Sequence, residues 1–445
     1  MFKRILTVLS GVFLGVVLSG GAAHLASSWS LFQKKDIDRS TAYVKEVSQI
    51  VNENYFDEKA VGYDALARTA IHGMVDTLDP HSEYLESKDN QELEEDLDGE
   101  FGGIGIEVEI REGHFTVISP IPGSPSDRAG LQHGDQLVSI DGKVLEKATA
   151  MDTVVDKLHG KPKTKVDIGF FRPSNHQTFD VTLMREVIRV ESVKGTRLLD
   201  DGIGYVQITE FSEHTGEQFA NAVDSLLKKG ITSLVIDMRD NPGGLLDAAV
   251  EVAEPFFKKG ELIVYTQGRK PEDHEEFKAE ADGDPLNIPV AILINSGTAS
   301  AAEIVTGAMK DTHRAVVVGE RSFGKGSVQS IFKLKDGEGL RLTTAHYYTP
   351  SGVTIHGHGV SPQVEVVLTQ DEDDKIRLQV DRSDVTDPKE FKTRFGFAPI
   401  DDRQLDAAVA VLKTIDLLDE RSGTTEPAKV SYLRRPVRTL TARLK

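Results

Sequence analysis

The 445-residue chain contains no cysteine. Disulfides, thiolate nucleophiles and cysteine-ligated metals are therefore excluded, and the chain is compatible with an oxidising compartment. Positive charge is short: 52 lysines and arginines face 71 acidic residues, a formal charge of −19. That balance argues against non-specific nucleic-acid binding, which needs basic surface to displace counterions. Part of the excess is local, in the run from Gln91 to Glu100, which reads as a solvated helix face. No Gly-x-Ser-x-Gly elbow, His-Glu-x-x-His helix, phosphate-binding loop or dinucleotide glycine spacing occurs. No metal or cofactor is expected.

The N-terminus is the first positive signal. Lys3 and Arg4 precede an apolar stretch from Ile5 to Leu18, and small residues follow from Gly20 to Ala23. A basic start, an apolar middle and a small-residue cleavage site make residues 1–26 an export signal, which predicts a periplasmic protein. The stretch is short of the roughly 20 residues that span a bilayer, and an uncleaved anchor is the alternative.

At about 150 residues per domain, the length suits three domains. Residues 40–98 read as helical. Tyr43, Val44, Val47, Ile50, Val51 and Tyr55 recur at helical spacing, as do Leu66, Ala70, Ile71, Met74, Val75 and Leu78, each predicting one buried face. These helices are too few for a bundle and are expected to pack on another domain or on a partner subunit. Residues 99–190 change to short β-like runs with glycine turns, plus a helix at 149–158, which suits a small β-rich module. Over 191–367, apolar strands at 203–208, 233–238, 290–294, 315–318 and 340–346 alternate with helices at 216–229, 245–257 and 300–309. That alternation predicts an α/β layer domain. The tail, 368–445, is charged, then helical over 404–417, and flexible from about Arg421; the helix 404–417, apolar on one side, is with the N-terminal helices a candidate subunit contact.

Two strand-to-helix turns carry the chemistry, DMRDNPGGLL (237–246) and NSGTASAAE (295–303). Both direct free backbone N–H groups, at a helix start, to one end of the sheet, where ligands bind in open α/β folds. Ser300 begins the second helix, where serine is also an ordinary cap. Lys325 lies between two glycines in VGERSFGKGSVQS (318–330), which allows backbone or substrate to approach it closely. Other pairings stay open from the residues alone: a Ser–His pair drawing on His313, His346, His356 or His358, and a Ser-x-x-Lys arrangement at Ser322 and Lys325.

Six segments in order give these features a family. LDPHSEYL (78–85), FGGIGIEV (101–108), DMRDNPGGLL, NSGTASAAE, FGKGSVQ (323–329) and YYTPSGVTIHGHGVSP (347–362) resemble the carboxyl-terminal processing proteases, also called tail-specific proteases. The resemblance runs from about Thr41 to Gln363. It implies an α/β serine-protease core, a small β-rich PDZ domain, an N-terminal helical segment and a C-terminal helical tail. It further implies Ser300 as nucleophile, Lys325 as general base, Gln329 as the residue that orients the lysine, and the amides of Gly244 and Ser300 as oxyanion hole. Position 302 is alanine where many relatives have serine. Gly103, Ile104, Gly105 and Ile106 resemble a PDZ carboxylate-binding loop, and AGLQHGDQLVSIDG (129–142) resembles the later PDZ segment.

The activity implied is cleavage of exported proteins near or from their C-termini, with the PDZ domain gripping the tail. Protein substrates, an adaptor protein and a homo-oligomer are the implied partners. A lysine that serves as base must be neutral, and burial lowers its pKa toward the working range. Lys325 is therefore expected to be buried and unpaired, with a neutral amide beside it. A catalytically inactive PDZ scaffold is the alternative, and the intact Ser300, Lys325, Gln329 and Gly244 argue against it.

Overall fold

A computed structural model describes residues 36–199, 202–382 and 385–422. The expected export signal and the chain end lie outside the described residues. The chain divides into two compact units, the first ending at Tyr84 and the second starting at Leu85.

In the first unit, a helix spans 36–54 and another Tyr63–Val75. Their apolar stripes are not the buried faces expected from periodicity. Tyr43, Val44, Val47, Ile50, Tyr55 and Met74 are all exposed, while Val75 is buried. Helical spacing identifies which residues share a face; it does not supply the surface that covers them.

The second unit holds the α/β core. Its six-stranded sheet runs Val193–Leu198, Ile203–Ile208, Ser233–Asp237, Val290–Ile294, Val316–Gly319, Val364–Glu365. The first strand is antiparallel to the second, and the others are parallel. Helices Thr215–Lys228, Leu246–Ala253 and Ala301–Asp311 contribute to the core on one face, together with Val206, Ile236, Ile292 and Val317. The other face buries Tyr205, Val235, Leu293 and Val318 under Ala408 and Leu412 of the C-terminal helix Arg403–Ser422. Strands covered on both faces read as continuous apolar runs, which is why these were legible in the sequence. The apolar side of the tail helix, a candidate subunit contact by its periodicity, instead covers this sheet.

A buried ion-pair cluster fastens that helix. Arg239 donates to Asp237 Oδ2 at 2.6 Å, to Asp402 Oδ2 at 2.8 Å and to Gln404 Oε1 at 3.2 Å, and the Tyr205 hydroxyl donates to Asp237. A second, antiparallel sheet contains Leu262–Gly268, His274–Lys278, Ser327–Lys333 and Gly339–Tyr348.

The β-rich domain has strand order Ile106–Arg111, His114–Pro120, Gln136–Ile140, Lys165–Arg172, Gln177–Met184, capped by the helix Met151–Leu158. Its core is separate, built on Val117, Leu137, Ile140, Val154, Ile168 and Phe170. Ile106–Arg111 is an end strand and keeps one edge without a strand partner in the sheet. The chain enters and leaves this domain through a two-stranded ribbon, Glu100–Gly103 against Glu186–Arg189.

Candidate active site

Three adjacent parallel strands end at the same edge of the sheet, and each leads into one candidate turn. Strand Ser233–Asp237 leads to the Pro-Gly-Gly turn, Val290–Ile294 to the Ser300 turn, and Val316–Gly319 to the Lys325 loop. Neighbouring strand ends thus bring together segments some 80 residues apart in sequence.

The first two turns are sewn to each other. Ala299 N donates to Asn241 O at 2.8 Å, Thr298 Oγ1 to Met238 O at 2.8 Å, and Asp240 N to Asn295 Oδ1 at 2.9 Å. Gly243 lies directly against the serine: a Cβ there would sit 2.6 Å from Ser300 Cβ, at φ +100°. Gly244, at φ +138°, passes so close to Phe211 that a Cβ would lie 2.2 Å from its carbonyl oxygen. Both positions require glycine on steric grounds.

Ser300 has φ +53° and ψ −117°, a backbone conformation that L residues rarely adopt. It is half-exposed at the start of the helix Ala301–Asp311. The strain is held by bonds on both sides, since Glu303 N donates to Ser300 O while Ser300 N donates to Glu303 Oε2, each at 2.9 Å.

Glu303 is the residue that sequence reasoning missed. It is fully buried, and its carboxylate collects four donors. Ser322 Oγ and Gly324 N donate to Oε1 at 2.5 and 2.7 Å, while Ser300 N and Lys325 N both donate to Oε2 at 2.9 Å. Burial pushes the Glu303 carboxyl up, and these four hydrogen bonds pull it back. One oxygen atom therefore ties the backbone of the candidate nucleophile to that of the candidate base. The one available signal was a glutamate three residues after a helix-starting serine, the usual position for accepting the cap's N–H.

Two expectations change here. The Ser300 amide, expected in the oxyanion hole, is held by Glu303; the Gly244 amide has no hydrogen-bond partner among the described residues. Lys325, expected to be buried, is only half-buried, although Gly324 and Gly326 on either side of it are buried. The glycines beside it do permit close approach. A Cβ on Gly326 would lie 2.4 Å from His356 N, and one on Gly324 2.9 Å from Gly359 N. Gln329 donates from Nε2 to Ser327 Oγ at 3.0 Å and to Thr343 Oγ1 at 3.1 Å. With its amide hydrogens so used, what it has left for an amine is its carbonyl oxygen.

The competing serine is disfavoured by its surroundings. Ser322 is buried, gives its hydroxyl hydrogen to Glu303 and accepts from Val360 N at 2.7 Å. Among the described residues, no histidine is hydrogen-bonded to Ser300, and no cluster of three or more acidic or histidine residues is placed to hold a metal ion.

The predicted PDZ loop sits at the start of the end strand. Gly103, Ile104 and Gly105 are buried and Ile106 half-buried. Ser126 donates twice to Ile104 O, and Ser124 Oγ and Ile121 N donate to Gly105 O. The carbonyls are thus tied inward, and Gly105 takes φ +72°.

The chain matches the peptidase family S41 model over residues 202–366 and the PDZ domain model over 102–183. It is 36% identical over 374 residues to a carboxy-terminal-processing protease of Bartonella bacilliformis, covering 82% of this chain and 83% of the relative. It is 35% identical over 367 residues to a probable CtpA-like serine protease of Staphylococcus aureus, covering 82% and 70%. Among solved structures, the photosystem II D1 C-terminal processing protease is 29% identical, covers 73% of this chain and 92% of its own, and superposes with a TM-score of 0.43.

Proposed function

The chain belongs to the carboxy-terminal-processing serine proteases, and from that premise we propose that Ser300 is its nucleophile, Lys325 its general base and exported protein tails its substrates. The observation that carries the reading is Glu303 Oε2, which accepts from the backbone of both residues and so holds the base loop at the nucleophile.

A serine hydroxyl is a poor nucleophile until a base takes its proton. In the proposed cycle, neutral Lys325 removes that proton as Oγ attacks the scissile carbonyl. The lysine then protonates the leaving amine, the C–N bond breaks, and the C-terminal fragment departs. Water, deprotonated by the same lysine, hydrolyses the acyl-enzyme and restores Ser300. Gln329 offers Lys325 a neutral acceptor, which orients the amine without favouring its charged form as a carboxylate would. A half-buried lysine needs further desolvation, and a peptide lying across the turns supplies it. The Gly244 amide receives the oxyanion; the Ser300 amide joins it only after parting from Glu303.

The PDZ domain is proposed to grip the substrate tail along the edge strand Ile106–Arg111, with its terminal carboxylate at Gly103–Ile106. The protein is proposed to act in the periplasm, exported by the signal over residues 1–26. An adaptor protein is the proposed aid to substrate delivery. The exposed stripe of Val44, Val47 and Ile50 is the proposed subunit contact. Replacing Val47 and Ile50 by aspartate should then lower the assembly state in gel filtration; unchanged elution would refute that contact.

Casein digestion by the mature chain, beside Ser300→Ala and Lys325→Ala, tests the chemistry. Cleavage by the parent alone is expected. Cleavage by either variant at the parent's rate would remove that residue from the mechanism.

A further inference from the structure

Tyr347 stands near the end of the strand Gly339–Tyr348, and its N–H donates to Gly326 O, one residue past Lys325, at 3.0 Å. The residue is 2% exposed and belongs to the main core, to which Ala301, Ile304 and Val305 of the nucleophile helix also contribute. Its hydroxyl is buried and, among the described residues, has no partner at full hydrogen-bond geometry, although the Ser300 side chain is near enough to act on it. A buried donor without an acceptor is costly, and native proteins retain few of them. The groups acting on this hydroxyl are Ser300 and Glu303. Burial first, then the Glu303 charge, push the phenol well above its ordinary range, while the Ser300 side chain pulls it the other way. The phenol is thus a neutral donor lying beside a nucleophile whose own amide is already held elsewhere.

We propose that the Tyr347 hydroxyl donates a hydrogen bond to Ser300 Oγ during acylation, a role that rests on Ser300 being the nucleophile. Three features of the site make it useful. The Ser300 side chain starts the helix in a capping-box arrangement with Glu303, in which its oxygen faces the Glu303 N–H and its hydrogen remains to be given. A donor on Oγ orients the oxygen and leaves the serine's own hydrogen for Lys325. The same donor stabilises negative charge on Oγ as that hydrogen moves to the lysine. Tyr347 gives up no proton; the transfer runs from Ser300 to Lys325, and only the Oγ–carbonyl bond forms in the step.

The test uses the full-length chain and a fluorophosphonate probe, which labels an activated serine without a peptide-binding step. Tyr347→Phe keeps the ring and removes only the hydroxyl. Labelling and casein kcat should both fall about tenfold or more, with KM unchanged. The thermal midpoint should stay level or rise, since an unpartnered buried hydroxyl has gone. Tyr348→Phe, whose ring stacks on Tyr265 at 5.0 Å, is the control and should label at the parent's rate. Tyr347→Phe labelling within twofold of the parent would overturn the proposal, and so would a midpoint that falls well below that of Tyr348→Phe, which would mark a packing defect. Ser300→Ala separates the premise: labelling that survives it refutes Ser300, whereas labelling lost in Ser300→Ala and intact in Tyr347→Phe refutes Tyr347 alone.

Discussion

Glu303 and Glu251 lie on two helices that contribute to the core on the same face of the sheet, and burial pushes both carboxyls upward. Their surroundings are opposite. Glu303 accepts four hydrogen bonds and joins the Ser300 turn to the Lys325 loop. Glu251, on Leu246–Ala253, accepts none among the described residues and faces the negative charges of Asp247, Glu254 and Glu213, which raise it further to about 6. A buried carboxylate organises its surroundings only when donors are arranged to meet it; without them it is a strained acid.

The strongest test of that contrast is Glu303→Gln. A carboxamide can accept on one oxygen only, and its NH2 must then confront the donors on the other side. Either the Ser300 and Lys325 amides or the Ser322 and Gly324 pair lose their partner. Stability should fall by about 2–4 kcal/mol, as expected for buried donors left unmet. Casein turnover should fall by about 100-fold or more, because the base loop is no longer held in register with the nucleophile. Urea unfolding and turnover measured together decide it. Turnover within threefold of the parent would mean that the clamp is dispensable.

Gly243→Ala attacks the same turn without touching the carboxylate. The added Cβ would meet Ser300 Cβ, Ala299 O and Ala301 N at 2.6–2.9 Å, on a backbone at φ +100°. Backbone must move, and the expected cost is about 1–3 kcal/mol with turnover down about tenfold to a hundredfold. A variant with full turnover would show that the two turns need not pack so closely.

Arg239→Leu probes donors outside the site. It leaves Asp237 buried without its main counter-charge and cuts the tail helix from the sheet. A loss of about 3–5 kcal/mol in urea unfolding is expected. The position lies two residues after the strand end that leads into the Pro-Gly-Gly turn, so turnover by the folded fraction should fall far less than in Glu303→Gln. A fully stable variant would assign Arg239 a role other than holding the tail.

These cases also show what the sequence could and could not reveal. The parallel strands were legible because burial on both faces leaves apolar runs with little interruption. Ser300 and Lys325 stood out as candidates because glycines and strand ends surround them. Glu303 was not, since a glutamate in the first turn of a helix is commonplace, and its partners come from a loop about 20 residues away. Tyr347 was one tyrosine of an adjacent pair, and only the fold buries one and leaves the other half-exposed. Leu262–Gly268 and His274–Lys278 escaped notice because their pairing with Gly339–Tyr348 is long-range and their alternation is weak. The tail helix was read by its apolar side but given the wrong partner, as periodicity names a face and not what covers it.

The smallest expected effect lies at Glu251, and its sign is opposite to the one usually assumed for carboxylates in folded proteins. The folded-state value of about 6 stands above the ordinary 4.5, so the folded chain favours the protonated form. The stabilising contribution is complete below about pH 4.5 and is lost as pH rises through about 6. Glu251 is half-buried, so solvent screening reduces the full linkage value, leaving about 1 kcal/mol. Glu251→Gln fixes the neutral form and should unfold at higher urea than the parent near pH 7, with the two chains converging toward pH 4.5. Its carboxylate oxygen lies where a side chain on Gly216 would begin, so this acid also fills space between helices. Glutamine preserves that volume, which leaves charge as the variable. A pH-independent difference between the two chains would place the effect in packing and dissolve the contrast with Glu303.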